Sequence, residues 1–376
     1  MQRKKILFLI SSLGKGGAER VLINLLNKID RNKYQVDLCV VMKGGIYFKD
    51  IPLDVKIIVL LKNVFLARVF TYLQIKLYID FFYNRLIREK IKDKYDVAVS
   101  FADSSYTELL FMLPQKPNKL IAWIHASYAS YTNYAKYYTP KYKQKIICSR
   151  YSKIDTIVFV SNDSMSEFKT VFGVFPDMRV IYNVLDIDNV LYNSTKFIPD
   201  ISNKLNLIAV GSLMPVKGYD KLILACKMLK TDGLDFRLYI LGEGPLKYTL
   251  KNQIDSLGLS ENVVLKGFIK NPYPYIKSSD IFIMTSISEA LPTALCEAMI
   301  LGKPVVVTNS SGCREIIENG KYGILVERNV ESIANGIKEL ARNNVSFEKY
   351  SKLSLMRAKE FSDEKVLEKV ENLFNN

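Results

Sequence analysis

The chain has 376 residues, of which 49% are hydrophobic, so a disordered chain is excluded and its length favours two domains. The 53 Lys and Arg outnumber the 38 Asp and Glu, giving a net charge of +15. The 5 Cys show no paired spacing, which suits reduced thiols of the cytosol rather than a disulfide framework.

The positive charge is concentrated in the first half of the chain. Residues 1–200 contain 30 Lys and Arg against 18 Asp and Glu, whereas residues 201–376 contain 23 against 20. This imbalance indicates an anionic partner, with an anionic membrane surface as one candidate, or a solvated basic surface, and both interpretations stay open. No uncharged run reaches the roughly 18–20 residues that span a bilayer. We therefore expect a cytoplasmic protein, either free or peripheral on the inner face of the cell membrane.

Short apolar runs alternate with helical patterns, which predicts βαβ units and parallel sheets. The first run follows a basic N-terminus, but it is too short for the core of a signal peptide, so we predict a buried strand. Helices are predicted over Glu19–Lys28 and Phe65–Lys92. The strands predicted in the first half are Ile6–Ile10, Val36–Val41, Val55–Leu60, Val97–Phe101, Leu120–Ile124, Thr156–Val160 and Arg179–Ile181.

The second half repeats this alternation. Its predicted strands are Leu205–Gly211, Arg237–Gly242, Asn262–Lys266, Ile281–Thr285 and Pro304–Thr308. Its predicted helices are Gly218–Lys230, Pro245–Leu257, Tyr273–Ser278, Thr293–Leu301, Cys313–Glu318 and Glu331–Asn343. Between the halves, Asp186–Asn206 is polar and lacks periodicity, which is typical of a linker. We therefore predict a domain over 1–185, a linker over 186–206, a second domain over 207–360 and a C-terminal helix over 361–376.

Two glutamates lie beside a predicted helix start. Glu289 precedes Pro292, which favours the first helical turn, and Glu297 follows about one turn inside the helix. The free N–H groups of a helix start favour an anion such as diphosphate, whereas the carboxylates are suited to accept hydrogen bonds from sugar hydroxyls. The alternative makes Glu289 a charge partner of the helix dipole and Glu297 a surface residue.

In this context the sequence resembles the retaining glycosyltransferases of family 4, which have the GT-B fold. Glu289 and Glu297 are similar to that family's E-x7-E motif, and the resemblance covers nearly the whole chain. The other matching segments are Gly14–Arg20, Val210–Gly218, Gly242–Pro245, Gly267–Phe268, Pro304–Val306, Gly312 with Glu315, and Asn319–Gly323. Motifs in the family's order are a strong signal, although each alone is weak.

The resemblance implies an α/β protein with two Rossmann-like domains facing across a central cleft. The domain over 1–185 would bind the acceptor, the domain over 207–360 would bind the nucleotide sugar, and the C-terminal helix over 361–376 would pack back on the first domain. It implies that Glu297 binds the ribose of the nucleotide, that Glu289 binds the transferred sugar and that Lys217 neutralises the diphosphate. His125, the only histidine, would lie near the 6-hydroxyl of the transferred sugar. The implied catalytic residues are Glu289, His125 and Lys217. The implied donor-binding residues are Gly16, Gly17, Gly211, Ser212, Lys217, Phe268, Ile269, Glu289, Ala290, Leu291, Pro292, Thr293 and Glu297.

The chain departs from the family at Ser212, where the family has an arginine. A serine supplies no charge, so neutralisation of the diphosphate falls on Lys217 and on backbone N–H groups. Two alternatives stay open when the resemblance is set aside: Lys217 is a solvated loop lysine, and His125 is a loop histidine without a role. We expect no cofactor and no metal. Asp186-Ile187-Asp188 matches the D-x-D motif of metal-dependent transferases, but it lies in the predicted linker, so we interpret the match as a coincidence.

The resemblance therefore predicts transfer of a hexose or N-acetylhexosamine, with retained configuration, from a nucleotide-diphosphate sugar to a saccharide. A UDP-sugar is the favoured donor, and an acceptor linked to polyprenyl diphosphate, as in bacterial surface polysaccharide or capsule synthesis, is the first to test. Two alternatives stay open: a non-hydrolysing sugar-nucleotide 2-epimerase on the same fold, and a non-catalytic basic interaction protein. The single histidine argues against the epimerase. The absence of a recognisable nucleic-acid-binding module argues against a nucleic-acid partner.

Overall fold

A computed structural model describes residues 3–14, 16–77, 79–101, 105–128 and 141–375 of the chain. The chain divides into two compact units. The N-terminal unit comprises Met1–Val184 together with Glu364–Asn376, and the C-terminal unit comprises Leu185–Asp363.

The N-terminal unit is built on a seven-stranded sheet. Its strands are β1 (Lys4–Ile10), β2 (Tyr34–Met42), β3 (Lys56–Leu61), β4 (Val97–Ser100), β5 (Lys119–Ile124), β6 (Thr156–Phe159) and β7 (Met178–Val180). They pair in the order β3-β2-β1-β4-β5-β6-β7, and every pair is parallel. Consecutive side chains from Ile6 to Ile10 are buried, as expected for a strand whose sheet is covered on both faces.

Helices alternate with these strands. The α-helices described in this unit are Gly17–Lys28, Val64–Leu77, Phe81–Lys90, Lys141–Tyr151, Asn162–Phe172 and the C-terminal helix Asp363–Asn375. Short 3-10 helices lie at Ile46–Asp50 and Ser105–Met112. The helix Gly17–Lys28 shows why the sequence forms such elements, because Val21, Leu22 and Leu25 recur at helical spacing and are buried on one face.

The C-terminal unit has a six-stranded parallel sheet of the same kind. Its strands are β8 (Leu205–Val210), β9 (Phe236–Leu241), β10 (Val263–Gly267), β11 (Ile281–Met284), β12 (Val305–Thr308) and β13 (Ile324–Val326), in the order β10-β9-β8-β11-β12-β13. The α-helices are Ile187–Asn193, Tyr219–Thr231, Lys247–Ser256, Tyr273–Ser278, Thr293–Ile300, Ser311–Ile316, Val330–Arg342 and Asn344–Ala358. The 3-10 helices are Pro215–Lys217, Glu318–Gly320 and Lys359–Phe361.

Every strand predicted from the sequence is present, but other segments differ from the predictions. Three helices were not predicted: Lys141–Tyr151, Asn162–Phe172 and Asn344–Ala358. The helix predicted over Phe65–Lys92 is two helices, Val64–Leu77 and Phe81–Lys90, and Phe70 of the first stacks on Phe82 of the second with ring centroids 4.7 Å apart. The predicted linker contains the helix Ile187–Asn193, which begins where the Asp186 side chain accepts a hydrogen bond from Asn189 N. Strand β13, which has three residues, was not predicted.

The C-terminal helix Asp363–Asn375 completes the core of the N-terminal unit. Phe374 is buried and meets Phe8 and Tyr34 edge to face, with ring centroids 6.1 and 5.6 Å apart. Lys4 Nζ donates to the Phe374 carbonyl at 3.1 Å, and Lys119 Nζ donates to the Leu373 carbonyl at 2.9 Å. These cations satisfy the last carbonyls of the helix and oppose the negative end of its dipole.

Replacing Phe374 with alanine should destabilise the N-terminal unit by about 3–5 kcal/mol, because it removes a buried aromatic ring and leaves a cavity. The only tryptophan, Trp123, is buried in this unit, so its fluorescence during urea unfolding measures the effect. The matched control is Phe197→Ala, whose ring is 43% exposed in the C-terminal unit and which should leave the Trp123 transition in place. If the urea midpoint is unchanged in Phe374→Ala, the packing of this residue of the C-terminal helix adds no stability.

Candidate active site

The candidate site of the C-terminal unit lies at the carboxyl ends of β8 and β11. These strands are neighbours in the sheet, while β9 lies on the other side of β8, so the strand order reverses between them. In open parallel sheets, ligands bind outside the carboxyl ends of the strands at such a reversal. The loops that follow β8 and β11 carry Lys217 and Glu289, the two charged residues predicted to act on the donor.

Lys217 and Glu289 form an ion pair in this structure. Lys217 Nζ is 2.5 Å from Glu289 Oε1, and Ser286 Oγ donates to the same oxygen at 2.6 Å. The two charged side chains are 19% and 13% exposed, so both are largely withdrawn from water. The Glu289 carbonyl accepts hydrogen bonds from Ser311 Oγ at 3.2 Å and from Gly312 N at 3.0 Å. Glu289 is thus held in place through both its carboxylate and its backbone carbonyl.

The loop that carries Lys217 is fixed to the loop that follows β11. Thr285 Oγ1 donates to the Lys217 carbonyl at 2.9 Å, and Ile287 N donates to the Val216 carbonyl at 2.7 Å. Gly218 has φ 64°, and a Cβ there would lie 2.3 Å from the Thr285 carbonyl oxygen. Glycine is therefore required, because it permits both the left-handed turn and the close approach.

The helix that follows Glu289 begins at Thr293, with Pro292 at the capping position and no side chain that caps its first turn. Its first N–H groups have no partner within the helix, which makes this end suited to an anion. Ala290, Leu291 and Pro292 form the loop that leads to this end. The structure thus brings a cation, a carboxylate and a helix start together, as the sequence predicts.

Glu297 is buried one turn inside this helix, with 6% of its surface exposed. Tyr273 Oη donates to Glu297 Oε1 at 3.2 Å. The alternative interpretation of Glu297 as a surface residue is therefore wrong. A buried carboxylate needs hydrogen-bond partners, and two ribose hydroxyls are donors of the right kind.

The remaining donor-binding residues of this unit lie on the turns after neighbouring strands. Gly211 follows β8, where a Cβ would lie 2.9 Å from Tyr219 Oη, and Ser212 next to it is exposed. Phe268 and Ile269 follow β10 and are half-buried. Their roles stay predictions.

His125 belongs to the N-terminal unit, where it directly follows β5. Its ring centroid is 4.4 Å from that of Phe101, and its Nε2 atom is buried without a hydrogen-bond partner among the described residues. Burial lowers the pKa of His125 to about 3, so the ring is neutral near pH 7. The role of His125 beside the transferred sugar stays a prediction.

Gly16 and Gly17 also lie in the N-terminal unit, at the start of the helix Gly17–Lys28. The Glu19 carboxylate folds back over Gly16, where a Cβ would lie 2.2 Å from Glu19 Oε2. Burial raises the pKa of Glu19. Gly16 therefore leaves room for this carboxylate, a contact that the sequence did not predict.

Sequence reasoning also missed Ser286, Ser311 and Tyr273, which hold the two glutamates. Ser286 could have been found, because it lies just beyond β11, where strand ends carry ligand-binding residues. Ser311 and Tyr273 meet the glutamates only through the fold. No group of three or more His, Cys, Asp or Glu in the described residues could hold a metal ion. Independence of metal stays a prediction.

Two family models match the chain on either side of residue 190. The model described as "Glycosyltransferase Family 4" matches residues 15–189, and the one described as "Glycosyl transferases group 1" matches residues 194–355. Together they cover most of both units and all of the predicted site residues.

A relative of similar sequence and two solved structures of similar fold match nearly the whole chain. The chain is 29% identical to the N-acetylgalactosamine-N,N'-diacetylbacillosaminyl-diphospho-undecaprenol 4-alpha-N-acetylgalactosaminyltransferase of Campylobacter jejuni, over 96% of this chain and 97% of that protein. It matches HepE of Anabaena in complex with UDP and glucose with a TM-score of 0.79 and 19% identity, over 100% of both chains. It matches a TarM variant of S. aureus in complex with fondaparinux, alpha-GlcNAc-glycerol and UDP with a TM-score of 0.77 and 17% identity, over 99% of this chain and 100% of that one.

The two Rossmann-like units, the order of the motifs, the matching family models and the full-length relatives agree. The predicted GT-B fold is confirmed, and the epimerase and the non-catalytic protein find no support in the family models. The chain is therefore a glycosyltransferase of the GT-B fold, whose first half matches the family 4 model and whose second half matches the group 1 model.

Proposed function

We propose that this glycosyltransferase transfers a hexose or N-acetylhexosamine from a UDP-sugar to a saccharide acceptor with retention of anomeric configuration. The proposed acceptor is linked to a polyprenyl diphosphate, and the proposed setting is surface polysaccharide or glycan synthesis. The observation that carries the proposal is the pairing of Lys217 with Glu289 beside the helix start at Thr293. This arrangement combines a cation for the diphosphate with a carboxylate for the sugar.

The three charged residues have separate tasks in this proposal. Lys217 and the first N–H groups of the helix Thr293–Ile300 stabilise the negative charge that builds up on the leaving diphosphate. Glu289 turns from Lys217 to a hydroxyl of the transferred sugar when the donor binds. Glu297 accepts hydrogen bonds from the ribose. Because Ser212 adds no charge, Lys217 carries more of the neutralisation than in relatives with an arginine at this position.

The reaction needs no enzymic nucleophile if both glutamates bind the donor. The bond between the anomeric carbon and the diphosphate oxygen breaks, and the acceptor oxygen bonds to the same face of that carbon. The proton of the acceptor hydroxyl passes to the departing diphosphate oxygen. Catalysis then depends on positioning and on electrostatic stabilisation of the leaving group, without a metal ion.

The names of similar proteins support the finer parts of the proposal. HepE and TarM were solved with UDP, which favours a UDP-sugar as donor. The Campylobacter jejuni relative acts on a saccharide linked to diphospho-undecaprenol and forms an alpha linkage. An alpha product is the outcome that retention gives with an alpha-configured nucleotide sugar.

A donor screen with excess chelator tests this proposal. Nucleotide release is measured with UDP- and GDP-sugars and with polyprenyl-diphosphate-linked and free saccharides as acceptors, and the anomeric proton of the product is observed by NMR. We expect release from a UDP-sugar with chelator present and an anomeric configuration equal to that of the donor. An inverted product, or activity that returns only with magnesium or manganese, would contradict the proposed mechanism.

Replacing Glu297 with alanine should weaken UDP binding about ten- to hundredfold, because a charge-assisted hydrogen bond contributes about 1.5–3 kcal/mol. Isothermal titration calorimetry measures the change, and thermal unfolding checks that the variant is folded. The control is Glu261→Ala, which removes a carboxylate that is 90% exposed in the same unit. UDP affinity unchanged in Glu297→Ala would rule out the ribose assignment.

His125 acts in this proposal as a neutral ring that hydrogen-bonds a substrate hydroxyl, and its low pKa has a consequence for stability. Between pH 6.5 and about 3, His125 is protonated in the unfolded chain but not in the folded protein. Protons therefore favour the unfolded chain, and stability is lost as the pH falls through this range. Because the chain has one histidine, the effect belongs to His125.

Lowering the pH from 7.5 to 5 should therefore cost the wild type about 2 kcal/mol more stability than it costs His125→Gln. Urea unfolding followed by Trp123 fluorescence at both pH values measures this difference. An equal loss of stability in both proteins would show that His125 is protonated as easily in the folded protein as in water.

A further inference from the structure

Two consecutive helices of the N-terminal unit expose an apolar face. The helices are Val64–Leu77 and Phe81–Lys90. We call this surface the helix-pair face and define it by Phe65, Leu66, Tyr72, Leu77, Ile79 and Phe81, all of which are exposed. Phe65, Tyr72 and Phe81 are 70%, 59% and 63% exposed, so more than half of each aromatic residue meets solvent. Exposed apolar side chains concentrated on two consecutive helices are typical of an interaction site.

The same helices are anchored through their opposite sides. Ala67 and Gln74 of the first helix are buried, as are Tyr83 and Ile87 of the second. Thr71 Oγ1 lies 2.9 Å from the hydroxyl of Tyr83 and 2.8 Å from that of Tyr106. The helices therefore have a fixed inner side, and the helix-pair face is the side that the fold leaves uncovered.

The segment that carries the helix-pair face is positively charged. Residues 62–92 contain seven Lys or Arg and only two acidic residues, Asp80 and Glu89. Arg68 and Arg85 are exposed, and neither has an acidic partner among the described residues. Arg88 Nε donates to Asn84 Oδ1 at 2.7 Å, so its charge also stays uncompensated there. An apolar surface with free arginines is complementary to a layer with an apolar interior and anionic headgroups.

The dimensions fit a helix pair that lies on such a layer rather than across it. The helices have 14 and 10 residues, or about 21 and 15 Å, whereas the hydrocarbon core of a bilayer is about 30 Å thick. No helix among the described residues combines the length and apolarity needed to cross a bilayer. Aromatic and aliphatic side chains next to cations are typical of helices that insert one side into the headgroup region.

We propose that the helix-pair face docks on an anionic membrane surface. Phe65, Tyr72 and Phe81 insert between the lipids, while Arg68 and Arg85 contact the headgroups. The biological role of this docking rests on the proposed function, because a polyprenyl-linked acceptor lies in that membrane. The docking itself is a property of the N-terminal unit and is measured without any substrate.

Co-sedimentation of the full chain with phosphatidylcholine vesicles, with or without 30% phosphatidylglycerol, tests the proposal. We expect binding to the anionic vesicles, at least tenfold weaker binding to the neutral ones, and release at high salt. Arg68→Gln with Arg85→Gln should weaken binding at least tenfold, and so should Phe65→Ser with Tyr72→Ser. Each pair has a matched control in the C-terminal unit: Lys227→Gln with Lys352→Gln for charge, and Tyr248→Ser with Val345→Ser for exposed apolar surface.

UDP affinity separates failure of docking from failure of the proposed function, because none of these residues belongs to the donor site. Variants of the helix-pair face that lose vesicle binding and keep wild-type UDP affinity support the proposal. Vesicle binding that is equal for neutral and anionic lipids, or equal for face and control variants, would overturn it. Self-association in light scattering that disappears in Phe65→Ser with Tyr72→Ser, without any vesicle binding, would also overturn it and would assign the face to a second copy of the chain.

Discussion

The ion pair between Lys217 and Glu289 is the interaction on which the candidate donor site depends. The residues are 72 positions apart, and they meet because β8 and β11 are adjacent in the sheet. The two loops that carry them are joined by backbone and Thr285 hydrogen bonds, so the separation of the charges is set by the sheet. A parallel sheet whose strand order reverses at this point leaves a place for a ligand between these loops.

The ion pair also explains how two opposite charges are stabilised in a largely buried site when no ligand is bound. Removing either charge alone would leave the other uncompensated where water is scarce, which costs several kcal/mol. A nucleotide diphosphate offers Lys217 a stronger anionic partner, and a sugar hydroxyl offers Glu289 a donor in place of the ammonium group. Donor binding then exchanges partners instead of exposing bare charges. In the N-terminal unit, burial lowers the pKa of His125, so its ring is neutral and needs no charged partner.

Much of this organisation could be predicted from the sequence. The strands were found because parallel, doubly covered strands are short runs of Ile, Val, Leu and Phe, and the helix start at Thr293 was placed by Pro292. The split of Phe65–Lys92 was missed because apolar residues continue through both helices, so no change in composition marks the turn. The helix Ile187–Asn193 was missed because its seven residues show too little periodicity. The contacts of Glu289 with Lys217 and Ser311, and of Glu297 with Tyr273, come from distant segments, and only strand order determines them.

The competition between Glu289 and diphosphate for Lys217 can be measured directly with UDP, which lacks the sugar that Glu289 is proposed to bind. The measurement is a calorimetric double-mutant cycle with Lys217→Met, Glu289→Gln and the double variant. We predict that Lys217→Met weakens UDP binding about tenfold or more, since it removes a charged hydrogen bond, whereas Glu289→Gln binds UDP as tightly as the wild type or more tightly. If Glu289→Gln loses as much UDP affinity as Lys217→Met, this exchange of partners is wrong, because Glu289 then supports nucleotide binding rather than competing with it.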